Sequence, residues 1–265
     1  MATAAEFDPR RFRSAAPHYR PGRPDYAALL VRRVVRLCNV TPYSVVLDLG
    51  CGPGLLAASF ARFAAEVVAM DPEPDMLAEV TALAIPNVRA VRGSSFELSM
   101  DLGRFRLVTM GRSFHWMDGP ATLSRLDAMV EPGGAVALFA TSHPELPDNA
   151  WVADFRSVCR GYAGDDVTRA SRRPGWMPHA AVLLESPFNR LETVSVFDRR
   201  RVSLPSLVDR ALSMSRTAPA RLGSRVVAFV TDLEAAIAPH AEQGMITEVI
   251  ESCALIGFRP GETPT

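Results

Sequence analysis

Through about residue 142, short apolar runs alternate with helix-length segments, the pattern of repeated βαβ units feeding a parallel sheet. Runs at 44–49, 67–70, 88–91, 107–110 and 135–140 are bounded by Gly, Pro or Asp and are predicted as strands. Between them, 55–63, 75–83 and 121–130 carry apolar residues at helical spacing, and the Glu-Pro-Gly-Gly run at 131–134 is expected to stop the last of these helices. Ahead of the first strand, 7–38 reads as a Pro/Arg-rich arm and then an amphipathic helix with Leu29, Leu30, Val34 and Leu37 on one side, expected to close over the sheet as a lid. Residues 143–190 are less periodic and read as a helical insertion near the site. The segments 191–197 and 245–258 read as two final strands, the second with a bulge or turn near Ser252. The predicted fold class is α/β: one domain spanning 1–265, with a Rossmann-like, doubly wound, seven-stranded and mostly parallel sheet and helices on both faces. Within it, 1–40 is the lid, 41–142 the ligand-binding core, 143–190 the substrate-side insertion and 191–265 the closing strands and helices.

Composition narrows the chemistry. A chain of 265 residues that is 48% hydrophobic can bury a substantial core. Its 29 basic residues balance 29 acidic ones, so no bulk field draws nucleic acid or an anionic membrane, and neither partner is expected. All the basic residues are arginine; without lysine, Schiff-base chemistry and a lysine base are excluded. Cys38, Cys51, Cys159 and Cys253 are scattered without metal-ligand spacing, so no metal and no disulfide framework is expected. No apolar run is long enough to cross a bilayer and the first residues are too polar for a secretory signal, giving the expectation of a soluble, cytoplasmic protein.

The sharpest motif is Val-Val-Leu-Asp-Leu-Gly-Cys-Gly-Pro-Gly at 45–54, a buried strand running into Gly50, Gly52 and Gly54 before a helix. Glycines here let a ligand approach the backbone, and the helix start offers free N–H donors. The dinucleotide fingerprint is G-x-G-x-x-G, shaped for a pyrophosphate. Here the spacing is G-x-G-x-G with Asp48 before it, a carboxylate that suits a ligand with a positive amine better than a pyrophosphate. An ordinary glycine turn capped by Asp48 is the plainer alternative. About twenty residues on, the next strand ends in Asp71, where a carboxylate can accept both ribose hydroxyls.

Together these residues resemble the first motifs of class I S-adenosylmethionine (SAM) dependent methyltransferases. That resemblance implies SAM as cofactor, with the glycine loop around its amino acid end and Asp48 fixing either the loop or the ammonium group. Met76 matches a position where an apolar side chain packs near the adenine, or is a simple core methionine. Gly93-Ser94-Ser95-Phe96 resembles the segment at the adenine edge, departing from the usual Gly-x-Ala-Glu, so that a serine hydroxyl or a backbone group would replace the acid.

Gly111-Arg112-Ser113-Phe114-His115-Trp116-Met117-Asp118 is similar to the Phe-His-Trp-x-Asp segment of small-molecule methyltransferases that include the trans-aconitate methyltransferases, a type 11-like group. Tyr19-Arg20-Pro21-Gly22-Arg23-Pro24 resembles the lid segment of the same group. The resemblance implies that Tyr19 donates toward SAM, that Arg20 or Arg23 pairs with its carboxylate, and that Gly111 borders it. His115 is a candidate base or, with Trp116, a rigid wall; His143 is a second candidate base. Phe114, Trp116, Trp151 and Trp176 are candidates to line a substrate cavity, and Arg169, Arg172 and Arg173 to bind an anionic substrate, or else to form core and solvated surface. The function implied is methyl transfer to oxygen, nitrogen or carbon of a small molecule, a carboxylate or natural-product-like substrate among them, with the oligomeric state open. Two alternatives stand beside it: a SAM-binding protein without turnover, and a nicotinamide-dependent dehydrogenase, against which the glycine spacing speaks.

Overall fold

In the computed structural model, which describes residue 12, residues 14–163 and residues 177–261, alternation along each strand sends successive side chains to opposite sides of one sheet. Among these residues, β1 (Val45–Leu49), β2 (Glu66–Asp71), β3 (Val88–Arg92), β4 (Phe105–Gly111), β5 (Val130–Ser142), β6 (Arg190–Ser203) and β7 (Met245–Phe258) form a seven-stranded sheet ordered β3-β2-β1-β4-β5-β7-β6. The pairs from β3 to β5 are parallel, and β7 runs antiparallel to both its neighbours. Val46, Leu107, Ala135, Ala137 and Phe139 join one core with Leu30, Val34 and Phe60. Leu47, Val108, Met110, Val136 and Leu138 face the other way, onto Leu123, Leu126, Met129 and Leu183. The first side is covered by α2 (Ala28–Leu37) and α3 (Leu55–Ala61), the second by α5 (Gly119–Met129) and α7 (His179–Leu184). α4 (Pro74–Ala82) lies along β2 and β3. The strand order reverses between β1 and β4, where the crevice outside the carboxyl ends collects ligands in folds of this kind.

Several expectations need correction. α2 buries Leu30, Val31, Val34 and Val35, whereas Leu29 turns outward at 42% exposure and Leu37 is only partly covered. α5 does end just ahead of residues 131–134, at Met129, but these residues lie inside β5 and do not form a separate turn. Gly133 takes a left-handed φ of 67°, and the register shift between Phe105↔Val130 and Leu107↔Ala135 absorbs the irregularity there. β7 is continuous through Ser252, which pairs with Thr141 on one side and Val196 on the other, so no bulge interrupts it. β6 reaches Ser203, beyond the predicted end at 197.

Pairing between β5 and β7 stops at Ser142↔Glu251, yet β6 and β7 continue paired to Ser203↔Met245. The six residues 245–250 of β7 therefore project past the carboxyl edge of the sheet as a two-stranded ribbon, roughly 20 Å at strand rise. Between the two strands of this ribbon the chain forms α8 (Leu204–Leu212), α9 (Pro219–Leu222) and α10 (Val226–Ile237), which pack with α6 (Trp151–Ala163) around a third core that includes Phe155, Leu207, Phe229 and Leu233. No helix among the described residues is long and apolar enough to cross a membrane.

The N-terminal α1 (Ala16–Gly22) docks on α8. His18 Nδ1 lies 2.8 Å from Asp209 Oδ1, Arg23 Nε donates to Ser213 Oγ at 2.7 Å, and Arg210 Nε donates to Gly22 O at 3.0 Å. Gly22 permits the approach, since a Cβ there would stand 2.2 Å from the Arg210 backbone nitrogen. Arg210 is itself anchored by the fully buried Glu248 of the ribbon, at 2.7 and 3.0 Å, and the same carboxylate accepts from Arg200 at 2.8 Å. Burial alone would raise the Glu248 pKa; hydrogen bonds from His143 and Arg210 and the charges of Arg210 and Arg200 hold it well below the ordinary range instead. Glu248→Ala would strand the Arg210 guanidinium without its anion, and a loss of about 3–5 kcal/mol in unfolding free energy is expected, measured by denaturant titration. Cleavage of α1 by added protease should quicken in the same variant.

Candidate active site

The loop after β1 hangs on the end of β2. Gly50 N and Cys51 N donate to Met70 O at 2.8 and 3.0 Å, and Gly52 N donates to Asp71 Oδ2 at 2.9 Å. The other Asp71 oxygen accepts from Glu73 N at 2.9 Å. One carboxylate thus joins the glycine loop to the start of α4. Each oxygen keeps a lone-pair direction for a hydroxyl donor. Gly50, at φ 68°, is demanded by packing as well as by backbone: a Cβ would stand 2.6 Å from Ser113 Cβ. Gly52, at φ 53°, faces open space, the side from which a ligand reaches the backbone. Gly54, at φ 82°, caps α3.

Asp48 sits beneath this loop, 1% exposed. Its Oδ2 accepts from Ala57 N at 3.0 Å and its Oδ1 from Thr109 Oγ1 at 3.0 Å. Of the two roles expected for it, the contacts match the fixing of loop and helix. Burial pushes its pKa up to about 7, partly offset by the hydrogen bonds from Thr109 and Ala57.

Met76, expected from the sequence near an adenine, is buried in α4. Ser94 begins a capping box: its backbone N and Oγ both donate to Glu97 Oε2, at 2.8 and 2.9 Å. The serine proton expected to reach a ligand is therefore committed to Glu97, because the acid displaced by three residues folds back onto it. Ser95 is buried beside it and Phe96 is 43% exposed.

The β4 loop makes the opposite wall. Phe114, His115 and Trp116 form one 3-10 turn, with Phe114 buried edge-on against His179 at 5.2 Å and the His115 ring tilted against Trp116 at 4.6 Å. Burial, with His179 and Arg23 nearby, lowers His115 to about 4, so the ring is neutral at physiological pH. Trp116 meets Phe12 of the N-terminal arm edge-on at 5.8 Å.

A small cavity of about 20 Å³ behind the glycine loop is lined by Tyr19, Tyr26, Asp48, Gly50, Gly111 and Arg112, among others. Arg112 stands over both tyrosine rings, 5.8 Å from Tyr19 and 5.0 Å from Tyr26. Tyr26, Arg112 and His179 escaped the sequence reading. Arg112 was within the motif and could have been flagged as a cation in a loop otherwise built of small, apolar and aromatic residues. Arg20 is exposed and lines a different cavity, with Asp25, Arg32 and Arg62.

His143 and Trp151 lie apart from this wall. His143 Nε2 is 2.9 Å from Glu248 Oε2 and its ring stands edge-on to Trp151 at 5.3 Å. Trp151 is 2% exposed in the core of α6 and α8, packed on Phe155 at 5.6 Å, so it lines none of the site described here. Arg169, Arg172, Arg173 and Trp176 lie outside the described residues.

An adenosyl amino acid suits these groups: a diol at Asp71, an open approach at Gly52, and unpartnered buried donors on Arg112 and Tyr26 for an anionic head. Residues 46–134 match the family model described as a methyltransferase domain. The chain is similar to an uncharacterized methyltransferase of Mycobacterium tuberculosis, 27% identical over 224 residues that cover 84% of each chain. It is also similar to the trans-aconitate 2-methyltransferase of Deinococcus radiodurans, 40% identical over 100 residues, 37% of this chain and 38% of the relative. Among solved structures, the fold resembles a SAM-dependent methyltransferase from Thiobacillus denitrificans in complex with S-adenosyl-L-homocysteine, with a TM-score of 0.53 at 15% identity over 95% of this chain and 99% of that one.

The raised Asp48 pKa has a definite sign. Between about 4 and 7 the folded chain keeps a proton that the unfolded chain has released, so this group's contribution to stability declines as pH rises through that window. Asp48→Asn, which cannot ionise, should lose less stability than the parent between about pH 4 and 7, read from denaturation midpoints. Equal slopes would refute the assignment.

Proposed function

Since the chain is a SAM-dependent methyltransferase carrying its methyltransferase domain at residues 46–134, we propose that it transfers the methyl group to a carboxylate oxygen of a small-molecule acceptor, within a single domain. The observation that carries this reading is the state of the histidine in the wall. His115, lowered to about 4, is a poor proton acceptor, so the site serves best an acceptor that arrives already ionised. The name of the Deinococcus relative, trans-aconitate 2-methyltransferase, supports an acid as acceptor.

Bound SAM supplies an electrophilic methyl on a sulfonium. The work left to the protein is to align nucleophile and methyl in a water-poor site. Asp71 takes the ribose hydroxyls while keeping Gly52 and Glu73 in place, and Gly50, Gly52 and Gly54 let the loop follow the ligand. Asp48 holds that loop to α3 and β4. Gly111 borders the amino acid end and Tyr19 closes it from α1, while Met76, Ser95 and Phe96 are assigned to the nucleoside side by the motif positions they occupy. Phe114, His115 and Trp116 make the acceptor wall, with Arg23 adding positive charge near His115. His143, turned to Glu248, is assigned a positioning role between ribbon and α8.

The test is a methyl-transfer assay over a panel of carboxylic acids, alcohols and amines, with hydrolysis of the product in mild base to reveal an ester. Esters from acids are expected, at a rate flat above the acceptor's pKa. Transfer confined to alcohols or amines would overturn the proposal. His115→Phe should hold kcat within about threefold of the parent, where loss of a true general base would cost about 100-fold or more. Asp71→Asn should weaken S-adenosylhomocysteine binding by about 1–3 kcal/mol in calorimetric titration.

A further inference from the structure

We infer that Arg112 is the anchor for the carboxylate of the cofactor's amino acid head, the group expected from sequence to be met by Arg20 or Arg23. The inference rests on reading the crevice above Asp71 as the SAM site. Arg112 Nε and Nη1, and the neighbouring Tyr26 hydroxyl, are buried without a hydrogen-bond partner among the described residues. Buried donors of a charged group are costly to leave unmatched, and a planar guanidinium fork is matched by a carboxylate.

The backbone is arranged for the same purpose. Arg112 holds a left-handed φ of 57°, a conformation non-glycine residues rarely adopt, while its N–H donates to Phe139 O at 3.0 Å. The guanidinium stands 5.8 Å from the Tyr19 ring and 5.0 Å from the Tyr26 ring, placements that limit its movement. The cavity of about 20 Å³ that it lines admits about one water-sized polar group, such as the end of a carboxylate reaching the guanidinium. Two free donors on one guanidinium beside the Tyr26 hydroxyl suit the two oxygens of an α-amino acid's carboxylate. The rival arginines are placed differently: Arg20 is exposed, and Arg23 spends its Nε on Ser213.

Calorimetric titration with S-adenosylhomocysteine, with its decarboxylated analogue and with methylthioadenosine separates the possibilities. Arg112→Met should weaken S-adenosylhomocysteine about 10- to 100-fold and leave the two ligands without a carboxylate unchanged. Arg112→Lys, which keeps the charge and loses the fork, should fall between and guards against a Met variant that fails to fold. Asp71→Asn should weaken all three ligands alike. Unchanged S-adenosylhomocysteine affinity in both Arg112 variants, an equal loss for the decarboxylated analogue, or a rise only in acceptor KM would overturn the assignment. If the parent binds none of the three, the reading of the crevice itself fails, a result distinct from the others.

Discussion

One carboxylate holds the site in shape. Asp71 ends a buried strand and is 9% exposed, yet it grips the backbone of two separate segments, the glycine loop at Gly52 and the head of α4 at Glu73. A buried anion with two N–H donors is tolerable where a bare one would be prohibitive. The loop needs this post because its glycines, chosen for approach and for positive φ, have little conformational preference of their own. Rigidity comes from the acid, and accessibility from the missing side chains.

The same division recurs across the crevice. Asp48, Thr109 and Ser113 hold the loops from beneath through hydrogen bonds to Ala57 N, Asp48 Oδ1 and Leu49 O. The groups turned toward the opening are aromatic rings, a neutral imidazole and arginine. This suits a reaction in which a sulfonium loses its charge to an anion, since rings stabilise the cation while arginine attracts the carboxylate that attacks it.

Much of this was legible in the residues. The strand ends, the glycine spacing, Asp71 and the Phe-His-Trp turn follow from local patterns: a buried run, a bend, and a polar residue at a fixed offset. What escaped depends on partners far along the chain. Trp151 and His143 looked like cavity residues because nothing nearby revealed Glu248, 105 positions beyond His143, or Arg210. Ser94 looked available because its acid stands three residues on, not beside the glycine. The face of α2 shifted toward Val31 and Val35 because the sheet and α3 decide which stripe is covered, and an arginine-only chain hides a special arginine among ordinary ones.

The antiparallel placement of β7 has an architectural consequence. Because its first six residues overhang the sheet, everything threaded between the last two strands hangs above the mouth and also clasps α1. α1 and the helices threaded between the last two strands are thus coupled through one buried ion pair, so that any displacement of the ribbon carries the arm with it.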